Sequence, residues 1–178
     1  GAVLAAAGAG AQEPIRIGAF LSVTGPAAFL GDPEQKTLEM YVDRINAAGG
    51  VGGRKLQLIV YDDAGDAEKA RTFAKELIGM NADVIVPSTN QVTAILQQET
   101  RTIPIVFAFV GDPVGSGFVQ SLSRPGGNLT GFANFENSIG GKWLELVREL
   151  APKSKRVGFV YCPSAAPNVG FFHAAQNA

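Results

Sequence analysis

Three small polar side chains, Ser88, Thr89 and Asn90, follow one another directly after a short apolar run. That run, residues 84–86, is typical of a buried strand, and a helical pattern begins a few residues further on. Hydroxyl and amide side chains at the start of a helix cap its N–H groups, but one cap requires only one residue. The same N–H groups also bind anions and carboxylates. The run of three therefore favours a ligand-binding role, with helix capping alone as the alternative.

Few residues could support catalysis, and they lack the partner groups that catalysis requires. The chain has one cysteine, Cys162, and one histidine, His173, with no third group placed to orient them. A lone cysteine after a strand is more often a small buried apolar residue, and covalent catalysis requires a nucleophile next to a base. The sequence also has no G-x-S-x-G, H-E-x-x-H or C-x-x-C motif. We therefore predict a protein that is not an enzyme and that has no metal or cofactor.

The composition argues against a nucleic-acid or nucleotide partner. The chain has 178 residues, a formal net charge of −1 and 46% hydrophobic residues, so it can form a core but has no basic excess for nucleic acid. The glycines after the first predicted strand do not have the G-x-G-x-x-G spacing of a dinucleotide fold. The glycine-rich run at residues 111–117 lacks the lysine of a phosphate-binding loop.

Apolar runs and helical patterns alternate along the chain. Strands are predicted near residues 15–22, 55–61, 84–86, 103–110, 128–132 and 156–161, with helices between most of them. Such alternation predicts an α/β fold with a Rossmann-like parallel sheet and flanking helices. Ligands bind such sheets at the carboxyl ends of the strands. The polar run that includes Ser88 is expected at that edge.

Three of the helix predictions rest on particular residues. Asp32 is predicted to cap the first helix, with Pro33 as its first residue, and Asp66 is predicted to cap the second. The helix over residues 138–150 is predicted to bury one apolar face. That face comprises Trp143, Leu146, Val147 and Leu150.

The first residues indicate export. Residues 1–11 are small and apolar and end in an A-x-A pattern, which is typical of the end of a secretory signal peptide. The alternative is a flexible apolar tail. No later run approaches the roughly 18 apolar residues of a transmembrane helix. We therefore expect a periplasmic or other extracytoplasmic protein that contacts a membrane only through a partner.

Two long stretches resemble known families. I-R-I-G-A-F-L-S-V-T-G-P-A-A-F-L-G-D-P-E and Y-V-D-R-I-N-A-A-G-G-V-G-G-R-K-L-Q-L-I-V-Y-D-D-A resemble the branched-chain amino acid and amide-binding proteins of ABC importers. From about Arg71 the chain is similar to ABC substrate-binding proteins related to the tryptophan-binding type. The motifs there are R-T-I-P-I-V-F, G-D-P-V-G-S-G-F-V, S-R-P-G-G-N-L-T-G-F and G-G-K-W-L-E-L. Both families have the type I periplasmic binding protein fold.

The resemblance implies two lobes with a ligand in the cleft between them. Residues 12–132 would form the N-terminal lobe, and residues 133–178 the hinge crossing and the start of an incomplete C-terminal lobe. The implied function is that of an ABC transporter's solute-binding component, which binds an amino acid, an amide or an aromatic solute and docks on the permease subunits. A ligand-sensing regulatory or receptor domain on the same fold is the alternative.

The resemblance also implies a set of ligand-binding residues. Ser88, Thr89 and Asn90 would receive a carboxylate or amide, and Asp112 would receive a cation. The other implied positions are Thr24, Phe29, Leu30, Phe109, Gly111 and Asn168. Two features differ from the amino-acid binders, which often have an aromatic residue in place of Leu30 and in some cases a disulfide from the position of Gly65.

Overall fold

A computed structural model describes residues 12–161 and 166–178. It has five strands and five helices in those ranges. In chain order they are β1 Ile15–Leu21, α1 Ala28–Ala47, β2 Leu56–Asp62, α2 Ala67–Gly79, β3 Val84–Pro87, α3 Asn90–Glu99, β4 Ile105–Val110, β5 Leu129–Ala133, α4 Ile139–Leu150 and α5 Ala166–Gln176.

The five strands form one parallel sheet, which confirms the predicted fold class. The strand order is β2-β1-β3-β4-β5. The chain leaves β1 towards β2 at one edge and then returns across β1 to β3, so the direction of winding reverses between β1 and β3. A reversal of this kind opens a crevice at the carboxyl ends of the two strands.

The core lies between the sheet and the helices that cover it. Phe20 of β1 and Phe107 of β4 are fully buried, as are Leu77 of α2 and Leu96 of α3. Ala70 and Ala74 of α2 are buried as well, and their small side chains bring that helix close to the sheet. Central parallel strands are covered on both faces, so β1 changes from half-buried residues to the continuous apolar run Ala19–Leu21.

The first helix begins earlier than its sequence signals predicted. The prediction that Asp32 caps it was wrong, because α1 starts at Ala28 and Pro33 lies inside it. Asp32 instead pairs with Lys36, one turn further along, at 2.7 Å. A proline within the first two turns of a helix removes one backbone hydrogen bond, and the helix can continue through it. The prediction for Asp66 is confirmed, since its carboxylate accepts from the N–H groups of Glu68 and Lys69.

The last part of the described chain differs most from the prediction. Residues 156–161 form no strand. Helix α4 packs on α5, where the rings of Trp143 and Phe171 meet edge to face with their centroids 5.3 Å apart. The face of α4 that was predicted to be buried is therefore largely exposed, and 77% of the surface of Leu150 is accessible to solvent. The reason is that no sheet in the described ranges lies under this helix, so only the part that meets α5 is covered.

Some predictions concern residues outside these ranges. The predicted signal-peptide remnant, residues 1–11, and the lone Cys162 are among them. His173 lies on α5. Within residues 12–161 and 166–178, none of the helices combines the length and the apolar character needed to cross a membrane.

The burial of Leu77 and the exposure of Leu150 predict very different contributions to the free energy of unfolding. Leu77→Ala should lower the free energy of unfolding by about 2–5 kcal/mol, because it leaves a cavity under α2. Leu150→Ala is the matched control and should change it by about 0.5 kcal/mol or less, because Leu150 is 77% exposed. Urea denaturation of the two variants measures both values. Equal losses would mean that α4 is buried in solution.

Candidate functional site

A cavity of about 310 Å³ lies where β1, β3 and β4 end. Its walls come from the start of α1, the β3–α3 turn, the end of β4, the segment after β5, and α5. Seven of the ten predicted binding residues line it: Leu30, Ser88, Thr89, Asn90, Phe109, Gly111 and Asn168. The parallel sheet explains this convergence, since strands that run the same way deliver their following loops to one edge.

Two of the three polar residues after β3 have structural partners. Thr89 is the N-cap of α3, and its hydroxyl accepts from the N–H of Val92 at 3.2 Å. The Asn90 amide makes a pair of hydrogen bonds with Gly111, donating to its carbonyl at 2.7 Å and accepting from its N–H at 3.0 Å. Asn90 thereby joins the start of α3 to the loop after β4, and this bridge fixes the shape of the cavity wall.

Ser88 is the remaining member of the run and is buried, with 5% of its surface exposed. It lies beside Glu34 of α1, which also lines the cavity. Burial raises the pKa of the Glu34 carboxyl above its ordinary value, and a hydrogen bond from the Ser88 side chain partly offsets that rise. The cavity therefore contains a half-buried carboxyl next to a hydroxyl.

Glu34 was not among the predicted binding residues, although the sequence contains a signal for it. Residues 27, 30, 31 and 34 follow one face of a helix that begins at Ala28, and all four line the cavity. A helix that began only at Pro33 would place Leu30 in a loop, so the predicted start of α1 concealed this helical spacing. Gly31, on the same face, packs against the Ser22 carbonyl so closely that a Cβ atom would clash with it.

Thr24 lies outside the cavity lining and is held by Asp62 at the end of β2. Its hydroxyl donates to one carboxylate oxygen at 2.6 Å and its N–H to the other at 3.1 Å. Burial acts to raise the pKa of Asp62, but these hydrogen bonds and one from the N–H of Ala64 outweigh it and hold that pKa below its ordinary value. Thr24 and Asp62 thus connect the loops after β1 and β2.

Phe29 and Asp112 also lie outside the cavity lining. Phe29 points away from the core and is 75% exposed. Asp112 has a positive φ of 44°, and its carboxylate accepts from the N–H of Gly115 at 2.9 Å and from the amide of Asn137 at 2.8 Å. In this structure Asp112 therefore fastens the loop after β4 to the segment that leads into α4.

The segment after β5 supplies cavity residues that the sequence did not reveal. Asn134 and Phe135 line the cavity from this side, and Phe171 of α5 lies beside them, with Phe135 and Phe171 edge to face at 6.1 Å. The Oδ1 atom of Asn134 is buried and has no hydrogen-bond partner within the described ranges. A buried carbonyl without a donor is costly, so this oxygen is a candidate acceptor for a bound molecule.

The site as a whole combines polar groups with an apolar wall. Serine, threonine, asparagine and glutamate side chains alternate with Leu30, Phe109 and Phe171 around one opening. Small-molecule sites have this character, with apolar walls and a few polar groups that orient the ligand. Within the part of the chain that the structure describes, no group of three or more His, Cys, Asp or Glu residues is arranged to hold a metal ion.

Comparison with known proteins gives a family match over most of the chain. The model of a family described as "ABC transporter substrate binding protein" matches residues 43–174. The leucine-, isoleucine-, valine-, threonine- and alanine-binding protein of Pseudomonas aeruginosa is 34% identical over 138 residues, 75% of this chain. The tyrosine-binding protein of Clostridioides difficile is 28% identical over 126 residues, 71% of this chain.

A solved structure supports the same fold. The periplasmic binding protein type 1 from Bordetella pertussis Tohama I superposes with a TM-score of 0.70 over 92% of this chain, at 23% identity. These proteins are longer than the region they share with this chain. The match covers 36% of each of the two curated relatives and 44% of the solved structure.

The bridge between Asn90 and Gly111 predicts a stability effect. Asn90→Ala should lower the free energy of unfolding by about 1–3 kcal/mol, because it leaves the N–H and carbonyl of Gly111 without their partner. Gln91→Ala, at the exposed neighbouring position, is the control and should have little effect. Urea denaturation provides the comparison, and equal stability of the two variants would contradict a structural role for the Asn90 amide.

Proposed function

Because this chain belongs to the family of ABC transporter substrate-binding proteins, we propose that it binds a small solute, such as an amino acid or amide, in the cavity above β1, β3 and β4. The observation that carries the proposal is the position of that cavity. It lies at the reversal of strand order, where parallel α/β sheets bind their ligands. The names of two relatives, which specify tyrosine and aliphatic amino acids, support this class of solute.

The proposed binding mode assigns the ends of the solute to different walls. The carboxylate or amide end lies at the start of α3, where the first N–H groups of the helix offer donors. The Ser88 hydroxyl adds a donor by turning from Glu34 to the solute, because it has only one proton to donate. The apolar part lies against Leu30, Phe109 and Phe171. Thr89 and Asn90 shape this site through the cap and the bridge to Gly111, and they contact the solute mainly through backbone atoms.

The proposal includes two lobes that close on the solute. Residues 12–132 form the first lobe, and residues 133–178 form the crossing and the beginning of the second. Asn168 and Phe171 of α5 line the same cavity as Ser88, which supports a site shared between lobes. Hinge closure around the solute would create the form that docks on the permease subunits. The location that fits this role is extracytoplasmic.

No observation favours a regulatory or receptor domain, or an enzyme, over a solute-binding protein. The family match names substrate-binding proteins and does not favour a regulatory or receptor domain. Catalysis is not part of the proposal, because Ser88 has a half-buried carboxyl beside it rather than a histidine base.

Solute binding can be tested by nuclear magnetic resonance, which detects weak complexes. We expect ¹⁵N-labelled chain to show saturable shifts at the β3–α3 turn when L-phenylalanine, L-leucine or L-leucinamide is added. Ser88→Ala should weaken binding about tenfold, the usual cost of one hydrogen bond to a charged group. Ser154→Ala, on an exposed loop, is the control. The absence of saturable shifts with all three solutes would reject the proposed function.

A further inference from the structure

We propose that Glu34 selects solutes carrying a positively charged amine and that Asn134 supplies a second acceptor for the same group. The inference rests on the proposed function, because it concerns the same cavity. It adds a residue from the first turns of α1 and a defined chemistry. The cavity would favour an ammonium group and reject an otherwise identical solute that lacks one.

Glu34 is the only charged side chain among the described residues that line the cavity. Within residues 12–161 and 166–178 it forms no ion pair, whereas its helix neighbours Asp32 and Lys36 are paired with each other. A half-buried carboxylate without a cation is unfavourable, because burial removes water that no opposite charge replaces. A cationic group on the solute would provide the missing charge.

Asn134 offers an independent observation on the same cavity. Its Oδ1 atom is buried without a donor in the described part of the chain, although the residue lines the cavity. The terminal torsion of an asparagine side chain is soft, so a half-turn presents the oxygen to the opening. An ammonium group has three donors, and the Glu34 carboxylate and the Asn134 oxygen would accept two of them.

The other described residues of the cavity wall carry no competing charge. Ser22 reaches the cavity from the end of β1, and its hydroxyl already donates to the buried Asp63 at 2.7 Å. The end of β4 contributes Phe109 and Gly111, and α5 contributes Asn168 and Phe171, none of which titrates. A solute's ammonium group would therefore find its only opposite charge at Glu34, while its carboxylate occupies the α3 side.

If Glu34 only stabilised the fold, replacing it would lower the unfolding temperature, whereas the inference predicts no loss. The pKa of Glu34 is higher in the folded chain than its ordinary value, so the ionised carboxyl costs stability above the folded pKa, and the cost disappears below the unfolded pKa. Glu34→Gln removes that cost. We expect the unfolding temperature of this variant to equal or exceed that of the unmodified chain at pH 7, with any gain shrinking in acid.

The test compares solute pairs that differ only in the amine. We expect L-phenylalanine to bind the unmodified chain about tenfold or more tightly than 3-phenylpropionate, and L-leucine likewise to exceed 4-methylpentanoate. In Glu34→Gln this preference should largely vanish while 3-phenylpropionate binds as well as before. Glu39→Gln, on the exposed face of the same helix, is the matched control and should keep the full preference.

Two further readouts separate recognition from folding. Affinity for L-phenylalanine should fall as the pH drops through the raised pKa of Glu34, and this dependence should be absent in Glu34→Gln. Asn134→Leu should lower the preference for the amine while leaving the pH dependence in place. A preference that survives in Glu34→Gln, or equal binding of the paired solutes to the unmodified chain, would overturn the inference and leave the proposed function standing. Binding of none of the four solutes, and none of L-leucinamide, would reject both.

Discussion

The parallel pairing of β1 with β2 on one side and with β3 on the other sets the positions of both the core and the cavity. It places the apolar run Ala19–Leu21 on an inner strand of the sheet, where all three residues are buried. It also sends the loops after β1, β3 and β4 to one edge. The cavity exists because these loops diverge where the winding reverses, so the core and the site are products of the same pairing.

The edge of the sheet is held open by hydrogen bonds between loops. Asp62 holds the backbone and hydroxyl of Thr24, and the Asn90 amide holds both backbone groups of Gly111. These bonds fix the loops, so the polar residues nearest the cavity divide into those that bridge loops and those that line the cavity without bridging loops. Ser88 and Glu34 belong to the second group. Glu34 is a half-buried carboxyl and the only charged group among the described residues that line the cavity, which is the basis of the proposed selectivity for amines.

The region after β5 depends on different interactions. Aromatic contacts join α4, α5 and the segment before α5, with Trp143, Phe159 and Phe171 in one cluster. Asn137 links this region to the first part of the chain through Asp112. The apolar face of α4 remains largely open, as the exposure of Leu146 and Leu150 shows. The proposed second lobe is consistent with such a face, since a helix of an α/β unit buries its apolar side on a sheet.

The sequence predicts the alternation of strands and helices, the parallel sheet and most of the cavity's polar residues, because strand runs, the Asp66 cap and strand-end loops are local patterns. It did not determine the start of α1, since Pro33 resembles a first helical residue and only packing of Gly31 on the Ser22 carbonyl shows that the helix begins earlier. Glu34 therefore went unrecognised. Three other features depend on partners distant in the chain, so local patterns do not predict them. They are the separate roles of Ser88, Thr89 and Asn90, the hydrogen bond from Asn137 to Asp112, and the open face of α4.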